Sequence, residues 1–401
     1  MVNLKKHTNI ALSYLLLVGS MGILLRLFFV LPVAANYRFL VHTHSHIALL
    51  GWVYIALSTL VYKLYLTGAG KGKIYKRIFL FTNFTLLGMM FSFPLQGYAL
   101  FSIIFSTLFL FASYFLAWFV FKNVPARFRD RYSYKCIKAA LWYMVFSSIG
   151  PWAVGGVLAT LGKASVWYKL SIYFYLHFQY NGWFILALIG ILFFIAEKAK
   201  AGIGKKSFHI FLLLINAGVI LSFFLSVLWT KPPVVFYGLA AAGAVLQVIA
   251  FVQLFQMLKN SWKKIQESLQ SFAAFLLKLS GICLAVKVLL QLITALPFFT
   301  ELSFLYTDFV IGYLHWTFLG VVSLALFAFL YHFDLLRFSR TAFWIYFSGF
   351  ILSEILIFYK GTSLWLRLGL PGNYFIWLVL VSTLIPISVG MVLFKNIRNK
   401  N

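Results

Sequence analysis

The chain has 401 residues, of which 63% are hydrophobic and only 10% charged, with a formal net charge of +27. That composition excludes a water-soluble globular domain, which could not cover its surface at such a ratio. The charge does not mark a nucleic-acid partner either: the basic residues sit in short loops between apolar blocks, with no basic arm and no aromatic-interleaved patch to grip a phosphate backbone.

The apolar blocks are long enough to span a bilayer, which takes about 20 residues each. They predict twelve transmembrane helices, over residues 9–33, 40–66, 77–97, 99–121, 137–161, 169–195, 207–229, 233–257, 268–297, 308–332, 341–360 and 374–396. The expected fold is therefore an all-α membrane protein forming one polytopic domain, 1–401, with the lipid bilayer as its first partner. The first block is long enough to persist as a helix instead of a cleaved signal. Loops after even-numbered helices are strongly basic, as in Lys71, Lys73, Lys76 and Arg77, then Arg127, Arg129, Arg131 and Lys135, then Lys198, Lys200, Lys205 and Lys206. Basic excess stays in the cytoplasm, so both termini are expected there, as in a bacterial inner-membrane protein. Cys136 and Cys283 fall on different helices without CxxC spacing, which argues against a disulfide or thiolate site.

Three basic residues fall inside predicted helices: Arg26, Lys278 and Lys287. Each costs roughly 2.5–3.5 kcal/mol on insertion scales. Lys278 can snorkel along its helix, whereas Lys287 lies near mid-span and needs a buried partner. Glu354, the only acid well inside a span, is the candidate partner, either as a structural tie or in proton or ligand movement. The aromatic residues, 20% of the chain, are expected mainly at lipid-facing and interfacial positions.

Of the eight histidines, His7, His209 and His332 fall at the inner ends of helices and are expected to be solvated. The other five lie near the outer ends of three helices: His42, His44 and His46 in the second, His177 in the sixth and His315 in the tenth. The segments His46-Ile47-Ala48-Leu49-Leu50-Gly51, His177-Phe178-Gln179-Tyr180-Asn181-Gly182 and His315-Trp316-Thr317-Phe318-Leu319-Gly320 share one pattern: histidine, four residues, glycine. Their histidines are 131 and 138 residues apart, close to a third of the chain. That spacing predicts three four-helix units in pseudo-threefold arrangement, about 1–135, 136–267 and 268–401. An intramembrane histidine needs a partner and usually faces the bundle interior, and imidazole ligates haem iron and copper well. His42 and His46, at i and i+4, share a helix face while His44 points away, so one metal ion cannot take all three. Bonding between neighbouring helices, or a proton or ion path lined by imidazoles, remain alternatives to cofactor binding.

On these motifs the chain resembles the catalytic subunit of haem-copper oxidases, nearest to high-affinity bacterial cytochrome oxidases and nitric oxide reductases. The resemblance implies twelve helices in a pseudo-threefold ring. It implies a low-spin b-type haem held by His42, in Arg38-Phe39-Leu40-Val41-His42-Thr43, and by His315, in Ile311-Gly312-Tyr313-Leu314-His315. Tyr313 stands where the family has its high-spin haem ligand. His177 matches the reductase histidine that ligates the non-haem metal, and Asn181 replaces the acid found beside it. The seventh helix lacks the family's histidine pair, so a second site, with copper or another non-haem metal, would have to draw on His44, His46 and His177. Arg26 and Arg367 are candidates to pair with a haem propionate. The implied activity is electron transfer or redox chemistry of oxygen or nitric oxide, an oxidoreductase fed by a quinol or cytochrome and accompanied by further membrane subunits. Two alternatives stay open: a non-enzymatic haem or copper protein that senses, stores or moves its ligand, and a transporter with a histidine-lined path.

Overall fold

Twelve helices in the computed structural model, which describes residues 2–398, are long and apolar enough to cross a membrane. They are α1 (Leu4–Leu27), α2 (Tyr37–Leu66), α3 (Gly72–Gln96), α4 (Leu100–Asn123), α5 (Tyr132–Thr160), α6 (Val166–Lys198), α7 (Lys205–Thr230), α8 (Val234–Lys259), α9 (Ser271–Ile293), α10 (Thr307–His332), α11 (Arg340–Trp365) and α12 (Tyr374–Arg398). Helix takes up 84% of the structure and no strand occurs among the described residues. The chain is a multi-pass membrane protein of all-α class.

The ends of the helices follow local chemistry. Asn3 caps α1 by accepting from the Lys6 amide at 3.0 Å, so the helix starts five residues before the predicted Asn9. It also stops at Leu27 instead of running to Val33, because Pro32 disfavours helical backbone at Leu31 and has no amide to donate. Asn36 and Ser339 cap α2 and α11 in the same manner, accepting from Phe39 N at 3.2 Å and Ala342 N at 3.3 Å. Short helices, Ala126–Arg129, Trp262–Ser268 and Pro297–Leu305, occupy three of the connections.

The chain divides into two compact units. The first holds α1–α4, the end of α10, α11 and α12. The second runs from Ala126 to Ala325 and holds α5–α9 with the first part of α10. The expected third repeat, 268–401, is therefore shared between the units instead of forming one of its own. Within the first unit α1 packs on α2 and α12, α3 on α4, and α11 on α12. Within the second α5 packs on α6, α7 on α8, and α9 on α10. The three histidine-bearing helices are the most enclosed: 89% of the apolar window of α2, 94% of that of α6 and 67% of that of α10 is buried, against 44% or less elsewhere.

Aromatic residues occupy exposed positions, such as Phe84, Phe91, Trp118 and Trp377, and also the core, where Tyr54, Phe93, Trp183, Phe193, Phe208 and Phe211 are fully buried. Packing corrects one expectation. His7 is buried instead of solvated, stacked on Phe79 with centroids 3.5 Å apart; His209 is exposed as expected and His332 is half-buried. Both cysteines are buried and free.

Small residues set the α7–α8 crossing. A Cβ on Gly218 would lie 2.9 Å from the Gln247 amide nitrogen, and one on Gly243 2.5 Å from the Leu221 carbonyl carbon. Such backbone approach is the usual way helices associate in lipid, where no hydrophobic force drives them together. Gly243→Ile is expected to lower the thermal midpoint in detergent strongly, whereas Gly155→Ala, with nothing within 4 Å of its Cβ position, leaves it unchanged; equal melting of the two variants would refute the tight crossing.

Candidate functional site

Each of the three histidine segments coincides with a break in α-helical geometry. A π-helical stretch runs from Ile47 to Tyr54 in α2, from Phe178 to Phe184 in α6 and from Trp316 to Ser323 in α10. His46, His177 and His315 each stand immediately before one, and Gly51, Gly182 and Gly320 each lie inside one. The extra residue per turn re-aims the side chains that follow, and such insertions concentrate at functional sites.

The glycines admit a neighbouring ring. A Cβ on Gly51 would sit 2.8 Å from Tyr14 Cγ, and one on Gly182 2.5 Å from Tyr143 Cγ. Tyr14 donates to Asn83 Oδ1 at 3.1 Å, and Tyr143 to the Asn216 carbonyl at 3.3 Å. Tyrosine, glycine and asparagine thus recur on the first, second and third helices of the first two repeats, separated by 129, 131 and 133 residues. In the third repeat the tie is rebuilt: Trp316 Nε1 donates to the Cys283 carbonyl at 2.8 Å, and Ser280 Oγ to that of Val321 at 2.8 Å.

In the first unit, His42 and His46 face the end of α3 and the turn after it. The His42 ring meets Tyr98 at 4.7 Å and the His46 ring meets Phe93 at 4.5 Å. His46 Nδ1 donates to the His42 carbonyl at 2.8 Å, and its Nε2 accepts from the Tyr98 hydroxyl at 3.2 Å. His44 points the other way, to α1, where its Nδ1 donates to the Val18 carbonyl at 3.1 Å and its Cε1 lies 3.4 Å from where Gly22 would carry a Cβ. Arg26, half-buried at the end of α1, lies within electrostatic reach of His44, Glu354 and Tyr374. Glu354 is 2% exposed and neither of its carboxyl oxygens accepts a hydrogen bond. Arg367 lies exposed in the turn after α11.

In the second unit a continuous polar network joins four helices, α6, α7, α9 and α10. Lys287 on α9, 1% exposed, donates to Asn181 Oδ1 and Gln291 Oε1, each at 2.5 Å. Asn181 Nδ2 donates to His177 Nδ1 at 3.3 Å, and His177 Nε2 donates to the Val219 carbonyl at 2.8 Å. Tyr313 donates to Gln291 Oε1 at 3.3 Å. The Lys287 ammonium also lies 5.9 Å from the ring centroids of both Tyr180 and Tyr313, within cation–π range. Its hydrogen-bond partners are thus two amide oxygens and not the expected Glu354. Sequence reasoning missed Asn181 and Gln291 as its partners. The available signal was spacing: Lys287 and Gln291, like His177 and Asn181, are four residues apart on one helix face.

These placements bear on cofactors. His177 has both ring nitrogens engaged by the protein, as does His46, and the Tyr313 hydroxyl bonds to Gln291. Among the described residues no three His, Cys, Asp or Glu side chains gather to hold a metal ion. The donor set of His44, His46 and His177 does not fit a non-haem metal as it stands. His42 and His315 are both half-buried, and two imidazoles are the donor chemistry of a low-spin haem. A cavity of about 500 Å³ lies at the other end of α6, beside Arg131, Lys135, Glu197, Lys205 and His209. There Glu197 caps α5 by accepting from the Ser133 amide and hydroxyl at 3.1 and 2.7 Å. No protein-family model matches the chain, and no curated protein matches it in sequence.

Gly51→Ala and Gly182→Ala each drive a methyl into a tyrosine ring, at a cost of about 1–3 kcal/mol for an overpacked core. Both are expected to melt below the parent protein in detergent, while Gly281→Ala, whose Cβ position has nothing within 4 Å, does not.

Proposed function

We propose that the chain is a membrane haem protein of the haem-copper oxidase superfamily that works in one-electron transfer, with His42 and His315 as axial ligands of a b-type haem. What carries this reading is the threefold device: three histidines, each just before a π-helical stretch with a glycine inside it, on the three most buried helices. A fold that repeats one imidazole-presenting element three times matches the pseudo-threefold architecture which the resemblance implies. The reading favours electron transfer or ligand sensing over reduction of oxygen or nitric oxide, because His177 and Tyr313 are engaged by the protein's own polar groups.

Bound haem would supply the redox couple at its iron. The chain's own residues hold its ligands: the His46 imidazole bonds to the His42 carbonyl and fixes the turn that carries His42, with the Tyr98 ring against the His42 edge. Arg26 offers a guanidinium suited to bidentate pairing with a carboxylate. Electrons would come from a quinol or a partner cytochrome, since the sequence carries no CxxCH for covalent haem. The basic loops after even-numbered helices orient the termini to the cytoplasm of a bacterial inner membrane. A second reading, a transporter, draws on the buried charges Lys287 and Glu354.

The test is a reduced-minus-oxidised absorption spectrum of the purified protein with haem analysis on the same sample. One low-spin haem per chain is expected in the parent, with loss of haem in His42→Ala and His315→Ala. A haem-free protein from haem-replete cells would sink the cytochrome reading and leave the transporter. Orientation has its own check. A cysteine placed at Lys200 should react with a membrane-impermeant maleimide only in opened cells, and one at Glu301 in intact cells. The reverse pattern would overturn the orientation; the native cysteines, both buried, give little background.

A further inference from the structure

Lys287 is an ammonium without a counter-ion in its own unit. The five acids of the second unit are Asp130, Glu197, Glu267, Glu301 and Asp308. Glu197, in the last turn of α6, is bonded to Ser133. Glu301 pairs with Lys231 at 3.6 Å. Asp308 lies in the first turn of α10, and Asp130 and Glu267 fall in or beside the connecting helices. Lys287 sits in the interior of α9, and its two hydrogen-bond partners are neutral amide oxygens.

The donors around it outnumber the acceptors. An ammonium has three N–H groups, and Asn181 and Gln291 take two of them. The Gln291 amide nitrogen, one turn away on the same helix face, is buried with no hydrogen-bond partner, which leaves its desolvation uncompensated. Reversing the Gln291 amide would not remedy this, because its oxygen accepts from both Lys287 and Tyr313. The Tyr180 and Tyr313 rings, 6.3 Å apart and edge to face, both lie beside the ammonium.

We propose that Lys287 and Gln291 form a binding site for a small monovalent inorganic anion of the halide class, which accepts from the Lys287 ammonium and the Gln291 amide nitrogen. The anion neutralises the buried charge and satisfies the orphaned donor together, and the site stands whether or not the protein holds haem. Its natural probe is chloride, compared with gluconate, a bulky organic anion, at constant ionic strength.

A ligand that binds only the folded state raises its stability with concentration. The thermal midpoint of the purified full chain in detergent is expected to rise saturably as chloride replaces gluconate. Lys287→Met removes the response, while Lys231→Met, at an exposed ion pair, keeps it. Gln291→Glu places a carboxylate beside the ammonium; it is expected to melt in gluconate at least as high as the parent does and to have lost the chloride response. A parent protein whose midpoint is the same in chloride and gluconate overturns the site, as does a Lys287→Met protein that keeps the response. If Lys287→Met does not fold, Gln291→Glu decides: retention of the full chloride response by that variant overturns the proposal.

Discussion

Hydrocarbon offers no hydrogen bonds, and every polar group carried into it must find a partner within the protein. The helices meet this demand by donating side chains to one another's backbone carbonyls. His44 on α2 reaches Val18 on α1, and His177 on α6 reaches Val219 on α7. Gln247 on α8 reaches Gly218 on α7, and Trp316 on α10 reaches Cys283 on α9. Tyr374 on α12 reaches Leu356 on α11. A carbonyl already bonded along its helix has a second lone pair, so these ties need no break in the acceptor helix. They supply direction where lipid removes the hydrophobic contribution to helix association.

The π-helical stretches follow from the same constraint. An inserted residue shifts the register of every side chain beyond it, so a helix can present an imidazole on one side of the break and a packing face on the other. The glycine inside each stretch makes the accommodation possible. At Gly51 and Gly182 a tyrosine ring from the first helix of the same repeat occupies the space a methyl group would need, and that tyrosine's hydroxyl is satisfied by the third helix. Three helices are thereby fixed around the break, in the same way in two repeats. The third repeat replaces the tyrosine with an indole donor from α10 and a serine from α9, which keeps the break tied to its neighbour by other chemistry.

How much of this could be read from the sequence depends on which property leaves a trace there. Hydropathy marks a span by composition, so all twelve helices were legible, with the largest displacement at α1, where an asparagine cap and a proline outweigh the apolar run. The His-x4-Gly repeat was legible because it is literal. The π-helical geometry was not, since one added residue in a turn leaves hydropathy and residue type unchanged. The tyrosine–glycine–asparagine triads escaped because each residue is ordinary alone and only the folded contact joins them. Lys287 could be recognised as needing a partner, but Glu354 drew attention as the only acid at depth, while two neutral amides meet the need through spacing of four residues. Phenylalanine and tyrosine are apolar enough for lipid and bulky enough for a core, so composition does not name the aromatic residues, such as Trp183 and Phe208, that fill the interior.

The two buried ionisable side chains, Lys287 and Glu354, bear on whether such groups are structural or functional. Replacing a buried ion pair by apolar residues is often neutral or stabilising, and Lys287 lacks even the compensation a carboxylate would give. Cation–π attraction to Tyr180 and Tyr313 and two amide hydrogen bonds offset part of its desolvation, but an uncharged side chain would avoid that cost altogether. The network is also directional: the ammonium donates to Asn181, Asn181 to His177, and His177 to the Val219 carbonyl. It therefore fixes His177 with its proton on Nε2, the nitrogen that donates to α7. A neutral side chain at position 287 would leave Asn181 Oδ1 without that donor and free the asparagine to turn, loosening the histidine it now orients. Glu354, buried in the first unit without a hydrogen-bond partner and within reach of Arg26 only through space, has still less to recommend it as a structural element. Lys287 thus costs stability and yet orients His177, whereas Glu354 costs stability with no hydrogen bond to offset it, and an ionisable group of that kind inside a membrane helix is by default a candidate for function.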